Sequence, residues 1–322
     1  MLNRYNITAL KMLRQHLTVK ANQNEYNALF RNISPVHTIY WTAPGDPPSM
    51  YARSDFDDLE YNYNRRANRE IIKGRFQNGG VGYVEADELE LFACLYKKEI
   101  ERLSPLQFKL VDLLEHEGPL NIKGIKEITG LLVKEISPEL HKLQEAFIVY
   151  EDQVDNDGDR GWYIFEREFE DVNLMKYSKL EALKIVLQRF AKLNVAFDED
   201  MAKSYYGLPT SEIKTAIGEL ADSGIILKTE YGYMRTEDHD LLGNESFDLQ
   251  NSVYLLHRND FLVKSNEHSL KAKYKKDVLH YILVDGEFKG AVYGRFKFGP
   301  PVIERIESEI DVDEFVKKFY NI

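Results

Sequence analysis

Between residues 104 and 165, apolar positions recur first at helical and then at strand spacing. Ser104-Pro105-Leu106-Gln107 has the pattern of a capping box with proline at the first helical position, and Gly118-Pro119 ends the helix that this pattern predicts. A short strand, two more helices and two strand-like runs around the turn-forming residues 155–159 follow. Helix, strand, helix, helix and hairpin is the element order of a winged helix-turn-helix.

The segment 173–247 repeats this order without obvious sequence identity. Ser178 and Glu181 form a second capping-box pattern, and apolar positions at helical spacing follow it. Two further helices are predicted before residue 224, and two short strand-like runs after it predict a small hairpin. We therefore expect a second winged helix in this segment.

The two ends of the chain have other patterns. Residues 1–30 predict two helices, residues 33–53 predict a loop rich in proline and glycine, and Gln77-Asn78-Gly79-Gly80 between two strand-like runs predicts a hairpin. From Ser252 onward, several short strands predict a small barrel or sandwich. The predicted fold class is therefore α+β: a winged-helix-like domain with a connecting helix (1–103), two winged helices (104–172 and 173–247) and a C-terminal β-rich, barrel-like domain (248–322).

Composition and charge limit the cellular compartments and the classes of binding partner that we expect for this protein. The 322 residues include one cysteine, which excludes a disulfide framework and fits a reducing compartment. No apolar stretch approaches the roughly 20 residues of a membrane span, so we expect a cytoplasmic protein with no membrane partner. Residues 1–84 contain 11 basic and 7 acidic side chains, whereas residues 85–250 contain 19 basic and 35 acidic ones. A polyanion should therefore contact the first segment, and the acidic middle is a candidate surface for a protein partner.

Three runs of residues resemble one known family. Residues 256–263 and 282–290 resemble strand-and-turn motifs of the tandem winged-helix superfamily that includes the AlkZ/YcaQ bacterial DNA glycosylases, and Lys73-Gly74-Arg75-Phe76-Gln77 resembles its N-terminal hairpin strand. The resemblance covers nearly the whole chain and implies a bacterial protein that binds double-stranded DNA and recognises or excises damaged bases. Glycosylases of this superfamily carry Gln-x-Gln or Gln-x-Asp shortly before an arginine. If Arg53 is that arginine, neither pattern occurs between residues 33 and 53.

Candidate catalytic residues come from the segment 37–48. Cleavage of an N-glycosidic bond needs a group that activates water and stabilises an oxocarbenium-like transition state, and aromatic surfaces that receive the extruded base. Asp46 is the candidate carboxylate, His37 a candidate proton carrier, and Tyr40 and Trp41 the candidate stacking surfaces. The alternative is a rigid structural loop, in which Asp46 makes a turn hydrogen bond and Trp41 packs in the core.

Candidate DNA-binding residues form a basic run that leads into the first hairpin. Such a run would contact phosphates while the hairpin tip enters a groove; the alternative is a solvated face with ion pairs to Asp57, Asp58 and Glu60. On the third helix of each clear module, several carboxylates make reading of the major groove the weaker hypothesis. The DNA-binding candidates are Arg53, Arg65, Arg66, Arg69, Lys73, Arg75, Gln77, Lys142 and Lys214.

No cofactor is expected. The sequence has no P-loop, no Gly-x-Gly-x-x-Gly, no His-Glu-x-x-His and no pair of cysteines. Two functions remain open at this point. One is a DNA-binding protein related to the glycosylases, and the other is a non-catalytic winged-helix regulator or protein-interaction scaffold that uses the acidic middle segment.

Overall fold

The computed structural model describes residues 2–39, 47–153, 160–274, 276–297 and 299–321. The chain divides into two compact units: unit 1 comprises Met1–Ile33, Ile39–Asn62 and Leu183–Ile322, and unit 2 comprises Ser34–Thr38 and Tyr63–Ala182. The division into four domains remains a prediction. The structure mixes helices and antiparallel sheets, so the fold class is α+β.

The first part of the chain contains the predicted pair of helices and the predicted hairpin. The strands β1, β2 and β3 form an antiparallel sheet in which β3 is central. The region predicted to be a connecting helix contains α4, which ends at Tyr96. The elements are α1 (Arg4–Arg14), α2 (Gln23–Ile33), β1 (Val36–His37), α3 (Asp58–Ala67), β2 (Ile71–Arg75), β3 (Val81–Glu85) and α4 (Leu89–Tyr96).

The elements from residue 105 to residue 168 occur in the predicted order. The capping box is present: the Ser104 hydroxyl accepts a hydrogen bond from the Gln107 amide at 3.2 Å, and the Ser104 amide donates to Gln107 Oε1 at 2.9 Å. Trp162 is buried among the apolar faces of the three helices. The elements are α5 (Pro105–Glu117), β4 (Leu120–Asn121), α6 (Ile122–Thr129), α7 (Val133–Glu145), β5 (Val149–Gln153), β6 (Arg160–Ile164) and α8 (Phe165–Glu168), with the sheet order β4-β6-β5.

The next segment repeats this arrangement, as predicted. The amide of Ser178 donates to Glu181 Oε2 at 2.8 Å, and its hydroxyl accepts from the Glu181 amide at 3.2 Å, which makes the second capping box. The elements are α9 (Lys179–Asn194), β7 (Ala196–Phe197), α10 (Glu199–Tyr206), α11 (Thr210–Asp222), β8 (Ile226–Thr229), β9 (Gly232–Arg235) and α12 (Thr236–Asn244), with the sheet order β7-β9-β8.

The C-terminal sheet is an open antiparallel meander of four strands. Its elements are β10 (Val253–His257), α13 (Phe261–Ser265), α14 (Glu267–Lys273), β11 (Val278–Val284), β12 (Glu287–Lys297), β13 (Gly299–Ser308) and α15 (Asp313–Tyr320), and the strand order is β10-β11-β12-β13.

The prediction of a barrel is wrong. Within the described residues, the edge strands β10 and β13 each pair with one neighbouring strand and not with each other, so the sheet does not close. Helices cover both faces instead. Val312 and Val316 pack beside Ile282 on one face, whereas Met12 and Leu262 belong to the core of the other. Because β11 is covered on both faces, it is almost continuously apolar rather than alternating.

Candidate functional site

The predicted catalytic residues Tyr40, Trp41 and Asp46 lie outside the described residues. His37, the fourth, is the last residue of β1 and pairs with Gly82 of β3. Its half-buried ring lies beside the tip of the hairpin, where Cε1 is 3.6 Å from the position that a Cβ atom would take on Gly80. The structure therefore places His37 at the base of the β2–β3 turn, within unit 2.

The tip of this hairpin is a short 3-10 turn over Gln77–Gly79. Asn78 has φ of 53° and Gly79 has φ of 75°, which explains the Asn-Gly sequence, because these two residue types tolerate the left-handed region best. The side chain of Gln77 is buried, and its Nε2 donates to the backbone oxygen of Pro35 at 3.2 Å. Gln77 therefore fastens the hairpin to the start of β1.

The outer side of the tip rests on the C-terminal end of α7. Arg75 Nε donates to Gln144 Oε1 at 3.0 Å, and Arg75 Nη1 donates to the backbone oxygen of Gly79 at 3.1 Å. A side chain at Gly79 would collide with the carboxylate of Glu145, which pairs with Lys98 at 2.8 Å. The tip thus faces a carboxylate, and its entry into a DNA groove stays a prediction.

Much of the basic run is buried and paired with carboxylates inside unit 2. Arg65 Nη2 lies 2.7 and 2.6 Å from the two carboxylate oxygens of Glu85. Lys73 Nζ lies 2.9 Å from Glu151 Oε2, and each of these two side chains is only 4% exposed. Arg66 is 8% exposed.

Arg69, in the middle of the run, is more accessible and is 40% exposed. Its Nη2 lies 2.7 Å from Glu168 Oε2, and its Nε lies 3.7 Å from Asp152 Oδ2. The alternative for this run was a set of ion pairs to Asp57, Asp58 and Glu60; the carboxylates that pair with it come instead from β3, β5 and α8 and from Glu70, which lies 3.7 Å from Arg65 Nε. Apart from Glu70, each of these carboxylates is at least 20 positions from its partner in the sequence, so the sequence alone does not reveal the pairing.

The three remaining DNA-binding candidates lie in different surroundings. Arg53, in unit 1, is 1% exposed; its Nη2 donates to Asp260 Oδ1 at 2.9 Å and to Gln15 Oε1 at 3.2 Å. Lys142 is 58% exposed and pairs with Glu139 at 2.7 Å, and Lys214 is 59% exposed with Glu199 at 4.0 Å. Of the nine candidates, Lys142, Lys214 and Arg69 therefore present the most charge to solvent.

The structure adds one carboxylate that the sequence analysis did not single out as functional. Asp58, the first residue of α3, is buried in unit 1. Its Oδ2 accepts a hydrogen bond from the Tyr26 hydroxyl at 2.8 Å and another from the Met50 amide, and its Oδ1 accepts from the Ser49 hydroxyl at 2.8 Å. Asn62 Nδ2 donates to the same Tyr26 hydroxyl at 2.7 Å.

Burial raises the pKa of the Asp58 carboxyl, against the lowering effect of the hydrogen bonds from Ser49 and Tyr26. A carboxyl with a raised pKa exchanges a proton closer to neutral pH than an exposed one, which is the property of a general acid or base. In sequence, Asp58 follows the candidate catalytic segment. The sequence suggested Asp58 only as a possible ion-pair partner of the basic run, because nothing in the sequence places Tyr26 beside it.

Comparison with solved structures shows a likeness that extends over nearly the full length of the chain. The structure resembles the Streptomyces sahachiroi DNA glycosylase AlkZ. The TM-score is 0.69, and the match covers 98% of this chain and 94% of that chain at 13% sequence identity. No protein-family model matches the sequence, and no curated protein is similar to it. The likeness establishes a shared fold.

The described residues contain neither a metal-binding cluster nor a membrane-spanning helix. No group of three or more His, Cys, Asp or Glu side chains in that part of the chain is arranged to hold a metal ion. Within the same residues, none of the helices combines the length and the apolar character that crossing a bilayer requires. Among the residues that the structure describes, the candidate groups for chemistry are His37 beside the hairpin in unit 2 and the Asp58 carboxylate in unit 1.

Proposed function

We propose that this protein binds double-stranded DNA and hydrolyses the N-glycosidic bond of a damaged or modified base, as a DNA-repair protein of the cytoplasm. The observation that carries the proposal is the likeness of almost the whole chain to the DNA glycosylase AlkZ. The raised pKa of the buried Asp58 carboxyl supports it chemically.

We further propose that the two repeated modules are winged helices. Each has three helices and a three-stranded antiparallel sheet in which the short strand after the first helix pairs with the last strand, giving the orders β4-β6-β5 and β7-β9-β8. In this arrangement α7 and α11 are the third helices, and they carry Lys142 and Lys214 on exposed positions. The proposal therefore assigns two exposed cations to the helices with which winged helices contact DNA.

The proposed reaction needs a base for water and an acid for the departing nucleobase. The carboxylate of Asp46 or Asp58 takes a proton from water as the water oxygen attacks C1′ of the sugar. The N-glycosidic bond breaks with its electron pair going to the base nitrogen, which takes up a proton as the base leaves; His37 is the proton carrier that the sequence predicts for this step. Tyr40 and Trp41 would stack on the extruded base.

For the DNA contacts, we propose that Lys142, Lys214 and Arg69 bind phosphates directly. We propose that the other candidates stabilise the surrounding structure instead, because most of their polar groups already bind partners within the protein. These candidates are Arg53, Arg65, Arg66, Lys73, Arg75 and Gln77. A paired, buried cation adds little to the attraction of a phosphate, since the nearby carboxylate cancels its field.

The second candidate function is a non-catalytic winged-helix scaffold for a protein partner. Its support is the acidic surroundings of the basic run together with exposed apolar side chains at the α6–α7 turn. Ile128, Leu132 and Val133 are 55%, 50% and 48% exposed, respectively. Exposed apolar side chains of this size are common at protein interfaces.

Binding across a salt series separates the two functions. We expect duplex DNA with an abasic-site analogue to bind more tightly than plain duplex, with log affinity falling by about 0.9 per unit of log salt for each neutralised phosphate. Lys142→Glu and Lys214→Glu should each reduce that slope by about 1. Lys317→Glu, an exposed lysine on α15, is the matched control. Absence of salt-dependent binding would favour the scaffold.

Base release from a lesion-bearing duplex then tests the catalytic assignment. Asp46→Asn or Asp58→Asn should lower the single-turnover rate by about 100-fold or more, in the range expected for loss of a general base. Asp55→Asn is the matched control, because Asp55 is an exposed carboxylate in the same segment. Cleavage at the wild-type rate by both Asp46→Asn and Asp58→Asn would refute the assignment of the carboxylate.

A further inference from the structure

A cavity of about 640 Å³ lies in unit 1, at the end of α14 and the start of β11. Its volume is in the range of pockets that hold small organic ligands. The apolar part of the lining is formed by Tyr274, Val278 and Tyr281. The centroids of the two tyrosine rings are 5.7 Å apart, in an edge-to-face arrangement.

Three cations line the same cavity. Arg258 precedes α13, Lys271 is on α14, and Lys276 precedes β11, so they come from three separate positions of the chain. All three side chains are exposed to solvent. A solvated row of cations along a single helix would not define a site, but here cations from separate segments meet at one cavity. Their combined field favours binding of an anion.

Two carboxylates also line the cavity, and one of them is already matched by lysines. Glu267 Oε1 lies 3.1 Å from Lys271 Nζ and 3.3 Å from Lys264 Nζ, so two ammonium groups share its charge. The second carboxylate is Asp277, whose backbone oxygen accepts a hydrogen bond from the Gly294 amide at 2.9 Å. The balance of formal charge around the cavity, with Lys264 included, is positive.

The aromatic part of the lining is packed into the surrounding protein. Burial raises the pKa of Tyr281 to about 12, and the ring of Tyr281 also packs edge-on against Phe288. Tyr274 and Tyr281, which line the cavity, are 4% and 6% exposed, so the surrounding packing holds both rings in place. A planar ligand would therefore meet a rigid aromatic surface beside a cluster of cations.

We propose that this cavity binds one nucleotide, with its phosphate held by Arg258, Lys271 and Lys276 and its base against Tyr274 and Tyr281. A guanidinium group matches the oxygens of a phosphate with parallel hydrogen bonds, and lysines add point charges. Aromatic side chains accept any base, because every base has a π-face. The nucleotide is either a free mononucleotide or an unpaired nucleotide at the end of a DNA strand. The site goes beyond the proposed glycosylase function and does not depend on it.

Isothermal titration of the full chain with deoxyadenosine 5′-monophosphate, deoxyadenosine and inorganic phosphate tests the site. The nucleotide should bind at least tenfold more tightly than either of its parts, because only the nucleotide uses both the cations and the tyrosines. Lys276→Glu and Lys271→Glu should each weaken nucleotide binding at least tenfold. Lys317→Glu reverses an exposed charge on α15 and should leave binding unchanged. An unchanged melting temperature would verify that the variants are folded.

A second titration identifies the source of the nucleotide. If the site takes a strand end, a duplex with a single 5′-phosphorylated unpaired nucleotide should bind more tightly than the blunt duplex, and Lys276→Glu should abolish only this difference. If the site takes a free nucleotide, the two duplexes should bind equally while the mononucleotide still binds. Absence of mononucleotide binding, equal affinity for inorganic phosphate, or an unaffected Lys276→Glu variant would overturn the proposal. None of these readouts requires base cleavage, so they fail or succeed separately from the glycosylase proposal.

Discussion

Arg53 and Asp260 form a buried ion pair although 207 positions separate them in the sequence. Arg53 Nη2 lies 2.9 Å from Asp260 Oδ1 and 3.2 Å from Gln15 Oε1. Asp260 also accepts a hydrogen bond from the Leu262 amide at 2.8 Å and so caps α13. One guanidinium group therefore joins the end of α1, the segment before α3 and the start of α13 within unit 1.

Replacement of Arg53 should reveal a structural role. Arg53→Met leaves the carboxylate of Asp260, which is 10% exposed, without its guanidinium partner, so the free energy of unfolding should fall by about 3–5 kcal/mol. Urea-induced unfolding measures this change. Arg295→Met is the control, because Arg295 is 71% exposed beside Glu304 and should lose less than about 1 kcal/mol. Equal, small losses in both variants would show that the Arg53 pair does not hold the fold.

Local patterns in the sequence predicted the local structure well. The capping boxes at Ser104 and Ser178 were predicted from residues three positions apart, and both are present. The Asn-Gly signal at residues 78–79 likewise marks a turn that needs left-handed backbone angles. Such features depend on neighbours in sequence, so a single chain is enough to predict them.

Features that depend on distant residues were not predictable in the same way. Closure of the C-terminal sheet would require β10 to pair with β13, and no local pattern in either strand records whether it does. For the basic run, the sequence left two alternatives open, a DNA surface and a solvated face with ion pairs to nearby carboxylates; in the structure Lys73 is buried and paired with Glu151, 78 positions later. The environment of Asp58 was not predictable either, because burial raises the pKa of its carboxyl while one of its hydrogen-bond donors, Tyr26, lies on another helix.

The pair between Lys73 and Glu151 should behave as a coupled unit. Each side chain is 4% exposed, so Lys73→Met or Glu151→Met alone should lower the free energy of unfolding by about 3–5 kcal/mol. The double variant should lose clearly less than the sum, because neither buried charge remains. A double-mutant cycle by urea unfolding measures the coupling energy. The exposed pair Lys142–Glu139 is the comparison and should couple by no more than about 1 kcal/mol; equal coupling in both cycles would contradict the prediction.

Two buried histidines in the C-terminal sheet should make the protein sensitive to acid. His257 and His280 are each 1% exposed, with ring centroids 5.7 Å apart. Burial lowers the pKa of His280 to about 3. The pKa of His257 is held well below its usual range, mainly by burial and to a lesser extent by the neighbouring His280. The folded state therefore keeps both rings neutral where the unfolded chain binds protons, so stability is complete above about pH 6.5 and falls as the pH decreases.

Unfolding at pH 7, 6 and 5 measures this effect. Well below pH 6.5, the slope should approach about 1.4 kcal/mol per pH unit for each histidine. His280→Gln should remove about half of the combined slope, whatever its effect on stability at pH 7. His268→Gln, which changes an exposed histidine of α14, should leave the slope unchanged. If His280→Gln had the wild-type slope, His280 would not be the group that titrates.

Asp58 should give the opposite dependence on pH. Burial raises the pKa of the Asp58 carboxyl, so the folded protein retains a proton that the unfolded chain loses near pH 3.8. The contribution of Asp58 to stability should therefore fall as the pH rises from about 4 through the raised pKa, and level off above it. Asparagine does not titrate. The free energy of unfolding of the wild type, minus that of Asp58→Asn, should therefore be highest at the acid end of this range and should fall as the pH rises.

Asp55→Asn is the control, because that exposed carboxylate should give no such trend. A difference between wild type and Asp58→Asn that stays constant from pH 4 to pH 7 would mean that Asp58 is ionised throughout and holds Ser49 and Tyr26 as a fixed anion rather than as an exchangeable acid.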